Sequence, residues 1–202
     1  MIYNKDLKRE IPVGWEVKEL KNIASISNEQ ITPKENIVYR HYSIPAFDEK
    51  GTYTKELGIN IHSNKFIIQP CDVLISKLNP RFSRVICASD KDNMVSSTEL
   101  IVFRCLCKSN QSLMYCIAKS DSFYSYCLKK ATGSSGSHNR INPEIMGAFK
   151  IPYNLKIYEL FKRRINSIIQ KRNHIIGENQ ILSNLRDFLI PLLMNGQVTI
   201  TS

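Results

Sequence analysis

The chain has 202 residues, 43% hydrophobic and 23% charged, with 28 Lys and Arg against 18 Asp and Glu for a net charge of +10. That balance excludes a disordered chain, and no apolar run approaches the roughly 18–20 residues of a bilayer-spanning helix. The positive excess suits a polyanionic partner, because neutralised phosphates release their condensed counterions.

Residues 1–10 are polar and charged, without the apolar core of a signal peptide, and read as an arm on a cytoplasmic protein. From Ile11 to Leu20, Pro12 and Gly14 punctuate a strand-like run in which Trp15 is expected to anchor the start of the core. Between residues 23 and 107 short apolar runs alternate with turn residues: Ile37–Tyr42, Phe66–Ile68, Val73–Ile75, Val85–Ala88 and Leu100–Cys105. Their length and their Val, Ile, Tyr and Phe content predict a β-rich region. Residues 111–130 change to helical spacing through Leu113, Met114, Ile117, Tyr124 and Leu128, and a Gly/Ser turn at 132–137 closes the segment. A further strand, Ala148–Ile151, is expected to stop at Pro152. The fold class is α+β, with one domain over residues 1–153. The six cysteines lack C-x-x-C spacing or a zinc-type histidine pair and read as buried, reduced thiols.

Residues 154–202 read as a separate appendage. From Leu155 to Ile190 the spacing predicts one helix of about 50 Å, ended by Pro191. Phe161, Ile168, Ile175, Leu182 and Leu189 recur every seven residues, with Ile165 and Leu185 alongside, which is a coiled-coil stripe for another helix. Arg172, Asn179 and Arg186 fall at alternate seam positions, where they either specify register or snorkel at the edge. Ile169 and Ile176 widen the stripe and leave room for a second contact surface, and Gly177 marks a bend.

Catalytic signatures fail one after another. Gly133-Ser134-Ser135-Gly136-Ser137 has Ser where a nucleophile elbow needs its second Gly. No phosphate loop or dinucleotide fingerprint occurs, and Asn142-Pro143-Glu144 lacks the aromatic of an adenine-methyltransferase motif. Glu16-Val17-Lys18 matches the E-x-K of many nucleases, with Asp6 upstream, but three residues match often by chance and Asp6 lies on the expected arm. The chain is expected to be non-catalytic and to hold no metal or cofactor.

Five segments carry a resemblance. Asp6–Lys18 resembles the opening of a target-recognition domain of type I restriction–modification specificity subunits. Asp72-Val73-Leu74-Ile75-Ser76-Lys77 with Asn79 is similar to the family's central strand and loop, and Ser96–Arg104 to its next core strand. Gly133–Glu144 resembles the turn before the last strand, and Leu185–Val198 the carboxyl-terminal segment. At the junction, Ile151-Pro152-Tyr153-Asn154-Leu155-Lys156 departs from the family's Pro-Pro-Leu-x-x-Gln run. Full subunits of this family join two recognition domains by two antiparallel helices, each domain reading half of a split target. One domain and one helix resemble half of such a subunit. The resemblance therefore implies a homodimer through the helix, or the other half of a longer subunit.

The partners implied by the resemblance are double-stranded DNA, a methyltransferase subunit and a restriction subunit, with S-adenosylmethionine, ATP and Mg²⁺ held by those subunits. Base edges are read by bidentate donors and acceptors while phosphate contacts fix position. The residue types fit in two loops: Lys77, Asn79, Arg81 and Arg84 in one, Ser134, Ser135, Ser137, His138 and Arg140 in the other, with Lys129 and Lys130 for phosphates. Gly133 and Gly136 would let backbone N–H groups approach a phosphate. Tyr39-Arg40-His41-Tyr42 is either a third contact or one strand of the sheet. The expected helix interface is Phe161, Ile165, Ile168, Ile175, Asn179, Leu182, Leu185 and Leu189. A dimeric DNA-binding regulator without modification partners fits the same residues.

Overall fold

A computed structural model of the chain describes residues 1–133 and 139–197. The short apolar runs become strands in chain order: β1 (Ile2–Asn4), β2 (Arg9–Ile11), β3 (Glu16–Glu19), β4 (Ser25–Ser27), β5 (Gln30–Ile31) and β6 (Val38–Tyr42). After helix α1 (Ile44–Lys50) come β7 (Thr54–Leu57), β8 (Lys65–Ile67), β9 (Val73–Ser76), β10 (Val85–Cys87), β11 (Met94–Ser96) and β12 (Leu100–Arg104). Helices α2 (Lys108–Ala118), α3 (Asp121–Lys130) and α4 (Pro143–Gly147) precede β13 (Lys150–Tyr153) and the long α5 (Leu155–Met194). No helix among the described residues is long and apolar enough to cross a membrane.

Two sheets form the centre, a four-stranded one in the order β10-β9-β12-β4 and a five-stranded one in the order β5-β8-β11-β6-β7. The four-stranded sheet is a middle layer. On one face Leu74, Ile86, Leu100 and Val102 meet Tyr42, Ile68 and Met94 of the other sheet. Their neighbours Val73, Ile75, Val85, Ile101 and Phe103 turn the other way, onto Met114, Phe123 and Ile169 of the helices. Side chains alternate between faces along a strand, so a strand covered on both sides reads as a continuous apolar run. This explains Val73-Leu74-Ile75, all buried.

Several expectations change. Residues 1–11 are not an arm but a β1–β2 hairpin; Ile11 is buried and Lys150 pairs with Asp6 at 2.8 Å. Trp15 is half-buried, outside the buried clusters. The helical segment 111–130 is two helices, because Ser120 accepts from the Phe123 amide and starts α3 afresh. The last strand runs through Pro152, paired with Val17; its sheet has only two strands, so the missing N–H interrupts no second ladder. Pro191 lies inside α5 instead of ending it. It sits in the exposed last turn, and Asp187, whose carbonyl loses its i+4 donor, is exposed too. The six thiols are free, and Cys107 is exposed where all six were expected to be buried.

Candidate nucleic-acid interface

β9 does not end in a loose loop. Beyond Ser76 the backbone continues as a ladder: Lys77 N–H donates to the Glu99 carbonyl at 3.0 Å, and Ile141 N–H to the Lys77 carbonyl at 3.0 Å. Asn79 N–H donates to the Asn139 carbonyl at 2.7 Å. Arg140 is bridged on both sides, to Leu78 and to Thr132. Asn79 turns the chain with φ of 48°, a left-handed conformation that Asn tolerates better than most residues. Two side chains, one capping the end of α2 and one on α3, then hold the descending limb. Lys119 Nζ donates to the Ser83 carbonyl at 2.7 Å and Tyr124 Oη to the Arg81 carbonyl at 3.3 Å. Segment 77–84 and residues 139–141 are therefore one surface, fixed by backbone hydrogen bonds.

Its cations divide by what they touch. Arg84 Nε and Nη2 donate to the two carboxylate oxygens of Asp48, both at 2.7 Å, and its side chain is only 11% exposed. These hydrogen bonds hold the Asp48 carboxyl below its ordinary range. The Arg84 guanidinium also lies 4.7 Å from the Phe82 ring, as does that of Arg81. Arg84 is thus used in holding the segment to α1, whereas Arg81 is exposed. Arg140 Nε and Nη2 donate to Glu99 at 3.1 and 3.2 Å, and its side chain is 54% exposed. Lys129 and Lys130 are exposed in the last turn of α3. Among the described residues Lys77, Arg81, Lys129 and Lys130 enter no ion pair. Ser134, Ser135, Ser137 and His138 lie outside the described residues.

Tyr39-Arg40-His41-Tyr42 is strand β6, held between β11 and β7. Tyr39 and Tyr42 are buried, Arg40 Nη1 donates to the Asp92 carbonyl at 2.6 Å, and His41 Nδ1 meets Glu56 at 2.7 Å. It belongs to the sheet. Among the described residues no group of three or more His, Cys, Asp or Glu is arranged to hold a metal ion.

The long helix has two unlike faces. Asn154 starts it by accepting from the Ile157 amide. One face docks on the domain: Ile165 and Ile169 join the core, Asn166 accepts from Ser112 at 3.0 Å, and Lys162 donates to Asn110 at 3.0 Å. Arg172 stacks 4.8 Å over the Tyr115 ring, so it serves this face and not the seam. The last anchor is Gln180, whose Nε2 donates to the Tyr53 carbonyl at 2.8 Å. The other face is bare. Phe161, Ile168, Ile175, Leu182 and Leu185 are exposed, as is Asn179, and Leu189 is half-buried. Of the expected interface only Ile165 is taken by the chain's own core.

Sequence reasoning missed Glu99, Asp48, Lys119 and Tyr124. Asp48 reaches Arg84 across 36 positions of sequence, and Glu99 reaches Arg140 across 41. No local pattern signals such pairs.

The family model described as Type I restriction modification DNA specificity domain matches residues 12–173. The specificity subunit of the type I restriction enzyme MjaIX of Methanocaldococcus jannaschii is 35% identical over 66 residues, 33% of this chain and 15% of that subunit. The HsdS subunit of Thermoanaerobacter tengcongensis superposes with a TM-score of 0.61 at 16% identity, over 89% of this chain and 48% of that one. The type I S subunit of M. genitalium gives 0.56 at 11% identity, over 91% and 47%. At these identities the likeness is one of fold, and the chain spans about half the length of the solved subunits.

Proposed function

Because this chain belongs to the family of type I restriction modification DNA specificity domains, we propose that it reads one half of a bipartite duplex target and brings methyltransferase and restriction subunits to it. The observation that carries the reading is the fusion of segments 77–84 and 139–141 into one hydrogen-bonded surface bearing Lys77, Arg81 and Arg140. A rigid backbone is what base reading needs, since bidentate contacts tolerate little displacement. Lys129 and Lys130 supply phosphate contacts at its edge.

The chain contributes recognition, and chemistry comes from its partners. S-adenosylmethionine, ATP and Mg²⁺ belong to the methyltransferase and restriction subunits. Two recognition units are held at a set distance by the bare stripe of α5, through Phe161, Ile168, Ile175, Leu182 and Leu185, against the helix of a second copy or of the other half of a longer subunit. Residues 1–153 act as the reading domain and residues 154–202 as the spacing and docking element. The long exposed stripe supports this division, because a monomer leaves such a face in water without compensation.

Co-purification of the chain with its methyltransferase subunit, followed by duplex binding across a salt series, tests the reading. Association, with affinity falling steeply as salt rises, is expected. Failure to associate, together with salt-independent or absent duplex binding, overturns it.

A further inference from the structure

A guanidinium has two edges that each present a pair of parallel N–H donors, one formed by Nε and Nη2 and the other by Nη1 and Nη2. Glu99 occupies the first edge of Arg140, at 3.1 Å from Nε and 3.2 Å from Nη2. Among the described residues nothing meets Nη1, and the side chain is 54% exposed. The second edge is therefore aimed by the first. Its root is equally fixed, because the Arg140 backbone is bridged to Leu78 on one side and Thr132 on the other. Glu99 is anchored too, its carbonyl accepting from Lys77 N–H at 3.0 Å.

The same bidentate pairing occurs between Arg84 and Asp48, and the contrast decides which is a reader. Arg84 is 11% exposed, with its guanidinium against Phe82, so its remaining edge has no room for a ligand. Arg140, 54% exposed, has that room among the described residues. A carboxylate on a surface meant for polyanions weakens attraction to phosphate, so a general electrostatic role gives Glu99 no place. A base edge carries no net charge, and a neutralised Arg–Glu pair suits it well.

We propose that Arg140 reads a guanine in the major groove through its Nη1–Nη2 edge, donating to O6 and N7, and that Glu99 is the positioning residue that holds this fork. This rests on the DNA-reading function proposed above and names one base of its target. Guanine is the base that offers two adjacent acceptors there; adenine offers one acceptor beside a donor, which a guanidinium cannot match.

The experiment is selection from a random-sequence duplex library by the full chain with its methyltransferase subunit, for the unaltered chain, Arg140→Lys, Glu99→Gln and Lys129→Ala. The unaltered chain should enrich a motif containing guanine. Arg140→Lys and Glu99→Gln should both flatten the same G·C column, lowering preference there about tenfold, and leave the other columns standing. Glu99→Gln should bind unrelated duplex as well as before or better, since a negative charge has gone; a merely structural loss would weaken all binding. Lys129→Ala should weaken every sequence alike. The proposal is overturned if Glu99→Gln leaves every column intact, or if Arg140→Lys weakens all sequences equally, the mark of a phosphate contact. If the unaltered chain enriches no motif, the DNA-reading function itself fails, and this failure is distinct from a flat result confined to the variants.

Discussion

Ile168 and Ile169 are consecutive on α5 and have opposite surroundings: Ile168 is 61% exposed, and Ile169, at 5%, is the residue of that helix buried in the core. A helix advances about 100° per residue, so neighbours lie on different faces. One face packs on the chain's own domain, and the next is exposed.

Ile169→Ala should therefore cost about 2–4 kcal/mol of folding stability, the usual range for emptying a buried aliphatic site. Denaturant unfolding measures it. Ile168→Asp with Ile175→Asp should leave that stability within about 0.5 kcal/mol and abolish self-association in sedimentation. An unchanged assembly mass would remove the stripe from the interface.

The Arg84–Asp48 pair ties segment 80–84 to α1, and its pH dependence comes from Asp48. Hydrogen bonding to Arg84 lowers this carboxyl from 3.8. A depressed folded-state value stabilises the fold above the unfolded value and loses that stabilisation as pH falls through the folded one. The stability difference between the unaltered chain and Asp48→Asn should thus be constant above about pH 4 and disappear in stronger acid. Half of the Asp48 side chain is exposed, so solvent screening keeps the difference small. A difference that grows toward acid would show that the carboxylate is not what Arg84 holds.

Lys129→Ala and Lys130→Ala should weaken binding to any duplex and lower the slope of log affinity against log salt by about one for each phosphate contact removed. Binding isotherms at several salt concentrations measure this. A changed sequence preference at constant slope would move these lysines from the phosphates to the bases.

Gly58 has its amide bonded to the Ile37 carbonyl at 2.8 Å, and a methyl group there would overlap the Lys34 carbonyl and approach the Tyr39 ring. Gly58→Ala should cost about 2–3 kcal/mol, since a rigid backbone has to move. A melting temperature equal to that of the unaltered chain would show that the 34–37 turn gives way freely.

The strands were legible because burial on both faces writes itself as unbroken runs such as Val73-Leu74-Ile75 and Leu100-Ile101-Val102-Phe103. The long helix was legible from its seven-residue repeat. What escaped was partnership at a distance. The polar stretch 1–10 hides a hairpin because its stability comes from Ile11 and from Lys150, far along the chain. Arg172 reads as a seam residue until Tyr115 is seen beneath it. At the proposed reading surface the residue types of segment 77–84 and of Arg140 pointed to DNA, but which cation is buried in its pair and which stays exposed depends on Asp48 and Glu99. Those pairings are made by the fold and have no local sequence signature.

The central claim is that this chain chooses where a methyltransferase acts. Sequencing of methylated bases in the host genome, with the chain present and with its gene removed, tests it most directly. The account predicts a split motif, two short specified parts around an unspecified gap of fixed length, whose methylation vanishes without the chain. Identical methylation in both genomes would contradict it.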